Sequence, residues 1–330
     1  MAQPDYRARA AAGIRALQRW YVRPAGRWVT TGWWNAANAL TAVIRYMRYT
    51  GDLSHLEIIE TTFAAAQLEH ASFINGYFDD NGWWALAWVA AYDLTGESRY
   101  LGAARTIFAH NQDGWDGTCG GGLWWNQDRQ YKNAITNELF LTLAARLHQR
   151  TPGDQDYRAW ALRAWEWLSA SGLIGQGGLV NDGLTAACAN NGGTTWTYNQ
   201  GVILGGLAAL YQITGDRAYL REGEIIADAA LSALTDPAGI LTEPCEPSGC
   251  DGDQTQFKGI FVRYLHELCQ HSDRPAYRAF ILANADSVWD SARNAADQFG
   301  LRWAGPFDAA DASRQSSAVE VLTAAAGLTA

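Results

Sequence analysis

The chain has 330 residues, 48% of them hydrophobic, with 16 tryptophans against 2 methionines and a formal net charge of −9. That length accommodates one large domain or two around a sizeable core. The acidic balance argues against a phosphate-binding surface for nucleic acid and against attraction to an anionic membrane, and no run approaches the ~20 apolar residues of a membrane span.

The first predicted helix covers residues 4–20, with Pro4 at its start and Ile14, Leu17 and Tyr21 at helical spacing. A loop over 22–32 leads to a second helix opening with Trp33-Trp34-Asn35 and ending at Tyr49-Thr-Gly-Asp; a third is expected from about 52 to 70. Next comes Asn75-Gly-Tyr-Phe-Asp-Asp-Asn-Gly-Trp-Trp84, in which the adjacent Asp79 and Asp80 precede an Ala- and Trp-rich helix ending near Thr95-Gly96. Read locally, Asp79 and Asp80 are N-cap residues accepting the free N–H groups of the first turn.

The join that follows, Leu94-Thr-Gly-Glu-Ser-Arg-Tyr-Leu101, recurs as Thr151-Pro-Gly-Asp-Gln-Asp-Tyr157 and Ile213-Thr-Gly-Asp-Arg-Ala-Tyr-Leu220, and in worn form as His271-Ser-Asp-Arg-Pro-Ala-Tyr277. Its glycines fall at 51, 96, 153 and 215, with Asp273 in the fifth place, at steps of 45, 57, 62 and 58 residues. Glycine ends one helix, an acid caps the next, and Tyr-Leu begins a buried stripe. Each step holds two helices and one long loop, and a last inner helix is expected at about 313–327. Sustained alternation of period two is absent, so few long strands are expected. The expected architecture is all-α: an (α/α)6 barrel, or six-hairpin α/α toroid, forming one domain over residues 1–330. An open α-solenoid would call for less varied loops and polar caps.

In that topology every long loop precedes an inner helix, so all six loops gather at one end together with the positive ends of the helix dipoles. They carry Trp33, Trp34, Tyr77, Asp79, Asp80, Trp115, Trp124, Trp125 and many amides and carboxylates. Indole faces cover the C–H faces of sugar rings, and amides and carboxylates match hydroxyls, so the expected ligand is neutral and polyhydroxylated. About half of the indoles are expected in the core.

Among the five cysteines, Cys245 and Cys250 bracket a short loop, Cys119 and Cys188 lie in Gly/Asn-rich loops, and Cys269 reads as a buried thiol. If both pairs form, an oxidising compartment follows, although the first residues lack the basic and apolar segments of a secretion leader. Asp251-x-Asp253 hints at a calcium loop, but Gln256 and Val262 stand where the EF-hand pattern needs Gly and Glu. A magnesium-diphosphate reading of the aspartates meets Trp83 where a third acid belongs. Neither metal nor cofactor is expected.

Several blocks, in order along nearly the whole chain, carry a family resemblance. They are Trp33-Trp-Asn-Ala-Ala-Asn38, Tyr77-Phe-Asp-Asp-Asn-Gly-Trp-Trp84, Cys119-Gly-Gly-Gly-Leu-Trp-Trp125 and Tyr131-Lys-Asn-Ala-Ile-Thr-Asn-Glu-Leu-Phe140. They continue as Gly178-Leu-Val-Asn-Asp-Gly183, Trp196-Thr-Tyr-Asn-Gln-Gly201, Cys250-Asp-Gly-Asp-Gln-Thr-Gln-Phe-Lys-Gly259 and Gly305-Pro-Phe-Asp308. The chain resembles glycoside hydrolase family 76, the endo-α-1,6-mannanases with a six-hairpin α/α barrel.

The resemblance implies a retaining mechanism with Asp79 as nucleophile and Asp80 as general acid/base. Retention needs carboxyl groups ~5–5.5 Å apart, and neighbouring residues with Cα atoms about 3.8 Å apart can meet that spacing. Sugar contacts are expected at Asn35, Trp83, Trp125, Asp182, Tyr198 and Lys258; Asp182 and Lys258 could instead form a structural ion pair. The implied partner is α-1,6-mannan or its oligosaccharides, met by an extracellular or periplasmic monomer. The alternatives are a transglycosylase, a hydrolase of α-1,6-glucan and a non-catalytic mannan-binding toroid.

Overall fold

A computed structural model describes residues 4–329 and contains twelve α-helices among them. In order they are α1 (Tyr6–Leu17), α2 (Trp33–Thr50), α3 (Leu56–Ala66), α4 (Phe78–Thr95), α5 (Ser98–Gln112), α6 (Ala134–Arg150), α7 (Asp156–Ala170), α8 (Thr197–Thr214), α9 (Ala218–Ala233), α10 (Phe257–Cys269), α11 (Pro275–Ser291) and α12 (Ala312–Leu328). The one sheet among the described residues pairs two short antiparallel strands, β1 (Tyr21–Val22) and β2 (Arg27–Trp28). No described helix is long and apolar enough to cross a membrane.

The helices alternate in character. Helices α2, α4, α6, α8, α10 and α12 are buried on nearly every face. The helices between them bury one stripe, as α5 does with Tyr100, Leu101, Ala104, Ile107, Phe108 and Asn111. The helix-ending half of the repeat holds at three places, where Gly51, Gly96 and Gly215 end α2, α4 and α8 in the left-handed conformation, with φ of 75°, 73° and 75°; the acid cap does not hold throughout, since Glu97 at the start of α5 makes no side-chain cap bond. The threonine before each glycine donates to the carbonyl four residues back: Thr50 to Tyr46, Thr95 to Ala91 and Thr214 to Leu210. Its oxygen then accepts the N–H two residues on.

Some expected boundaries move. The regular part of α1 ends at Leu17 and continues as a 3-10 turn through Trp20. Helix α3 is shorter than 52–70, because Asp52 is occupied by the N–H of Ser54 and the hydroxyl of Tyr46 rather than capping a helix.

The chain forms two compact units. Among the described residues, one holds 4–69, 234–269 and 273–329; the other holds 70–233 and 270–272. In the first, α12 packs against α1, α2, α10 and α11. Its core contains Glu320 shared by two arginines, accepting from Arg45 Nε at 3.0 Å and from Arg263 Nε at 2.8 Å. Gly259 permits close approach of α10 to α12, since a Cβ there would stand 2.5 Å from the Ser317 Cα.

In the second unit α4, α6 and α8 pack in series, with α5, α7 and α9 laid against them. Each inner helix reaches up with a buried amide to grip the loop that precedes it. Asn81 on α4 accepts the N–H of Asn75 and donates to its C=O; Asn137 on α6 does the same to Leu123, and Gln200 on α8 to Val180. Each amide thus pairs with a backbone as another strand would, satisfying groups that burial would otherwise strand.

Removing one such amide strands a buried N–H and a buried C=O together. Asn137→Ala should therefore lower unfolding stability by about 2–4 kcal/mol, measured by denaturant unfolding; a loss under about 1 kcal/mol would show that the grip is dispensable.

Candidate active site

The long loops before α4, α6 and α8 are stitched to one another in the second unit. Phe78 N–H donates to Trp125 C=O, Gln127 N–H to Gly76 C=O, Ala134 N–H to Asp182 C=O and Leu184 N–H to Lys132 C=O. The Cys119–Cys188 disulfide ties the second of these loops to the third; a second disulfide, Cys245–Cys250, closes a small loop in the other unit. Cys269 is a free thiol whose burial pushes its pKa up to about 12.

Lys132, buried, holds the loop before α6 in place. Its Nζ donates to Asp116 Oδ1 and to the carbonyls of Thr118, Gly121 and Gly122, and stands 4.8 Å from the centre of the Trp124 ring. Lys258 repeats this in the other unit, donating to Glu246 and the carbonyls of Leu241 and Leu301 and standing 4.8 Å from the Trp303 ring centre.

Asp79 and Asp80 lie within the first turn of α4, not before it, because Tyr77 is the N-cap residue. There the free N–H groups and the helix dipole favour negative charge. Asp79 Oδ1 accepts the N–H of Asp80 at 3.0 Å, and Oδ2 accepts the indole N–H of Trp125 at 2.9 Å. Asp80 Oδ2 accepts from Asn75 Nδ2 at 2.6 Å, on the same Asn75 whose backbone Asn81 grips. Burial, and then the charge of Asp80, push the Asp79 carboxyl well above the ordinary carboxylate range, while the Trp125 indole pulls it down. Neighbouring carboxyls under these forces resist carrying two negative charges at once.

Trp125 also meets Tyr77 and Tyr131 edge to face, with ring centres 5.0 and 6.2 Å away. The Tyr131 hydroxyl donates to Asp182 Oδ2 at 2.5 Å and accepts from Asn191 Nδ2 at 3.1 Å. Gly183 makes room for it: a Cβ there would lie 2.1 Å from the Tyr131 hydroxyl oxygen. Burial raises the pKa of Asp182 against the Tyr131 hydrogen bond. Tyr198 stands among these groups, its pKa raised first by burial and then by the charges of Asp182, Asp79 and Glu138.

The second unit therefore brings together Asp79, Asp80, Trp125, Asp182 and Tyr198, and adds Tyr131, Asn75 and Glu138, to which the sequence reading gives no role. The remaining expected sugar contacts are packed inside. Trp83 is 2% exposed and Asn35 1%, so neither offers an open surface, and Asn35 Nδ2 donates to Gln256. Lys258 is fully buried with Glu246 as its carboxylate partner, while Asp182 accepts from Tyr131; each member of the suggested Asp182–Lys258 ion pair is thus otherwise engaged. No cluster of three or more His, Cys, Asp or Glu among the described residues could hold a metal ion.

A carboxylate pair thus stands in the first turn of a buried helix, flanked by aromatic rings, and comparison with solved structures identifies the fold. An α-1,6-mannanase from a Salegentibacter species matches with a TM-score of 0.89 over 98% of this chain and 100% of its own, at 25% identity. That protein is described as an inactive variant with two consecutive aspartates changed to alanine, in complex with α-1,6-mannotetrose. The fold class is all-α, an α/α toroid.

More narrowly, the chain belongs to glycosyl hydrolase family 76, which it matches over residues 11–329. Mannan endo-1,6-alpha-mannosidase DCW1 of Saccharomyces cerevisiae is 32% identical across 71% of this chain, and its Candida albicans namesake 28% identical across 88%. The chain spans 57% and 72% of those two proteins' own lengths.

The indole N–H stabilises the Asp79 anion, so its loss raises the pKa further. Trp125→Phe should move the acid limb of the pH–rate profile upward by about one unit, the equivalent of a hydrogen bond of ~1.4 kcal/mol. An unmoved acid limb would show that the indole does not set the charge state.

Proposed function

We propose that this chain is a retaining, endo-acting hydrolase of α-1,6-mannosidic bonds, with Asp79 as nucleophile and Asp80 as general acid/base. The observation that carries the reading is the Asp79–Asp80 pair in the first turn of α4, where burial and mutual repulsion oppose a double negative charge. The N–H donors on its two oxygens favour the Asp79 anion against the burial and the Asp80 charge that raise its pKa, and in this proposal the proton resides on Asp80 when substrate is bound.

In the first step an Asp79 oxygen attacks the anomeric carbon. The bond from that carbon to the departing sugar's oxygen breaks as Asp80 donates its proton there, leaving a glycosyl ester on Asp79. Water then attacks the same carbon, Asp80 takes its proton, and the Asp79 carboxylate leaves with the configuration restored. Trp125 contributes an N–H to Asp79 and a ring face towards the sugar, while Asp182 and Tyr198 supply polar groups for hydroxyls. The α-1,6-mannotetrose complex of the Salegentibacter protein supports mannan as substrate, and the loss of two consecutive aspartates in that inactive variant supports the roles of the pair.

Three further readings belong to the same proposal. The unbroken family match over 11–329 supports one catalytic domain. The two disulfides support an extracellular or periplasmic setting. The enzyme is taken to act as a monomer without cofactor or metal.

Unbranched α-1,6-mannan and α-1,6-glucan, incubated in parallel with products followed by thin-layer chromatography, test the substrate class. A ladder of mannooligosaccharides is expected from mannan, with the α-anomer released first. Turnover of glucan alone would overturn the specificity, and longer products growing from short ones would indicate transglycosylation. Asp79→Asn should lower the rate by roughly 10³-fold or more, and a folded variant with full activity would remove Asp79 from the mechanism.

A further inference from the structure

Glu138 lies on α6 one turn below the rim, fully buried, with neither carboxyl oxygen hydrogen-bonded. Across the α6–α8 contact Asn199 is also fully buried, and neither its amide oxygen nor its nitrogen has a partner. Buried polar groups are rarely left so, and side chains of this kind are the ones to which proteins bind ordered water. With no hydrogen bond from another protein group and no cation on either oxygen, burial holds the group as the neutral acid, able to donate one hydrogen bond and accept others.

Both side chains face the site described above. Burial raises the Glu138 pKa and, among the described residues, the charge of Asp182 adds to it. The Asn199 amide lies close enough to favour the Asp182 carboxylate, short of a closed hydrogen bond. From α8 the Tyr198 phenol lies within the electrostatic reach of Glu138, Asp182 and, on α4, Asp79. From the loop before α6, Tyr131 donates to Asp182. Helices α5 and α7, also packed on α6, supply no charge that acts on Glu138.

We propose that Glu138 is a positioning residue: as a neutral carboxylic acid it binds, together with the Asn199 amide, an ordered water behind Asp182, and through that water keeps Asp182 aligned with Tyr131. The role rests on the mannan-hydrolase reading and extends it below the surface that sugar touches. A neutral acid at this place leaves the single negative charge on Asp182, where the Tyr131 hydroxyl points. Ionisation of Glu138 at high pH would place a second charge beside it and disturb that alignment.

The test compares wild type, Glu138→Gln and Glu138→Leu on an α-1,6-linked mannooligosaccharide, with kcat, KM, pH profile and melting temperature for each. Glu138→Leu should leave the melting temperature close to that of wild type, since the group it removes bonds no other protein atom, while kcat falls roughly 10- to 100-fold as Asp182 loses alignment. Glu138→Gln, which mimics the neutral acid, should retain kcat below neutrality and extend activity on the alkaline side, because it cannot ionise. A Leu variant with wild-type kcat and pH profile would overturn the proposal. If the Leu variant does not fold, the Gln variant decides alone: loss of kcat below neutrality, or an unchanged alkaline limb, overturns it. Inactivity of the wild type on mannan would instead overturn the substrate reading, which separates the two failures.

Discussion

A helix buried on nearly every face offers a ligand only its ends. In this chain α4, α6 and α8 meet that condition, and their first turns carry Asp79, Asp80, Asn81, Asn137, Asn199 and Gln200. The unpaired N–H groups of a helix start favour anions, so the carboxylates stand where the backbone already prefers them. The amides one step deeper hold the loops above that end. Framework and chemistry are thus consecutive residues of one helical turn: Asp79 and Asp80 face the site, while Asn81 fixes Asn75, whose side chain returns to Asp80.

Charges inside the protein fall into two kinds. Arg45 and Arg263 enclose Glu320, Lys132 meets Asp116 and Lys258 meets Glu246, each cation neutralised by a carboxylate and several by carbonyls or a ring face as well. These are stiffening devices: breaking one strands a buried charge, which is costly even where the intact pair adds little net stability. Asp79 is treated differently. Its donors are an indole and a backbone N–H, both uncharged, and its charged neighbour is another acid. A cation beside it would fix it as a carboxylate; uncharged donors leave its protonation free to respond to Asp80 and to a ligand.

Much of this was legible in the chain. The Thr-Gly joins at 51, 96 and 215 announced hairpins because left-handed backbone after a helix demands glycine, and burial alternates as the repeat implied. Both disulfides form where loop composition placed the cysteines. Depth was harder to read. The family-matching blocks drew attention to Trp83, Asn35 and Lys258 near the starts of their helices, and all three are buried. A helix packed all round carries no polar stripe to mark which face looks outward, as α4 shows. Glu138 was overlooked for a related reason: a glutamate amid Asn-Glu-Leu-Phe-Leu reads as an ordinary helix residue until its neighbours are known. Asp79 and Asp80 read as caps because caps and first-turn acids look alike in sequence; Tyr77 at the N-cap decides between them.

The grip of Asn81, Asn137 and Gln200 has a consequence for how such a protein can change over evolutionary time. Each amide reads only the main chain of its loop, and the gripped residues are Asn75, Leu123 and Val180, one polar side chain and two buried aliphatic ones. Anchorage is therefore indifferent to the identity of the anchored residue. The loop beyond it can lengthen, shorten or exchange its aromatic and polar residues without a compensating change in the helix. A scaffold built this way can diversify the ligands it accepts while its helical frame is inherited almost untouched.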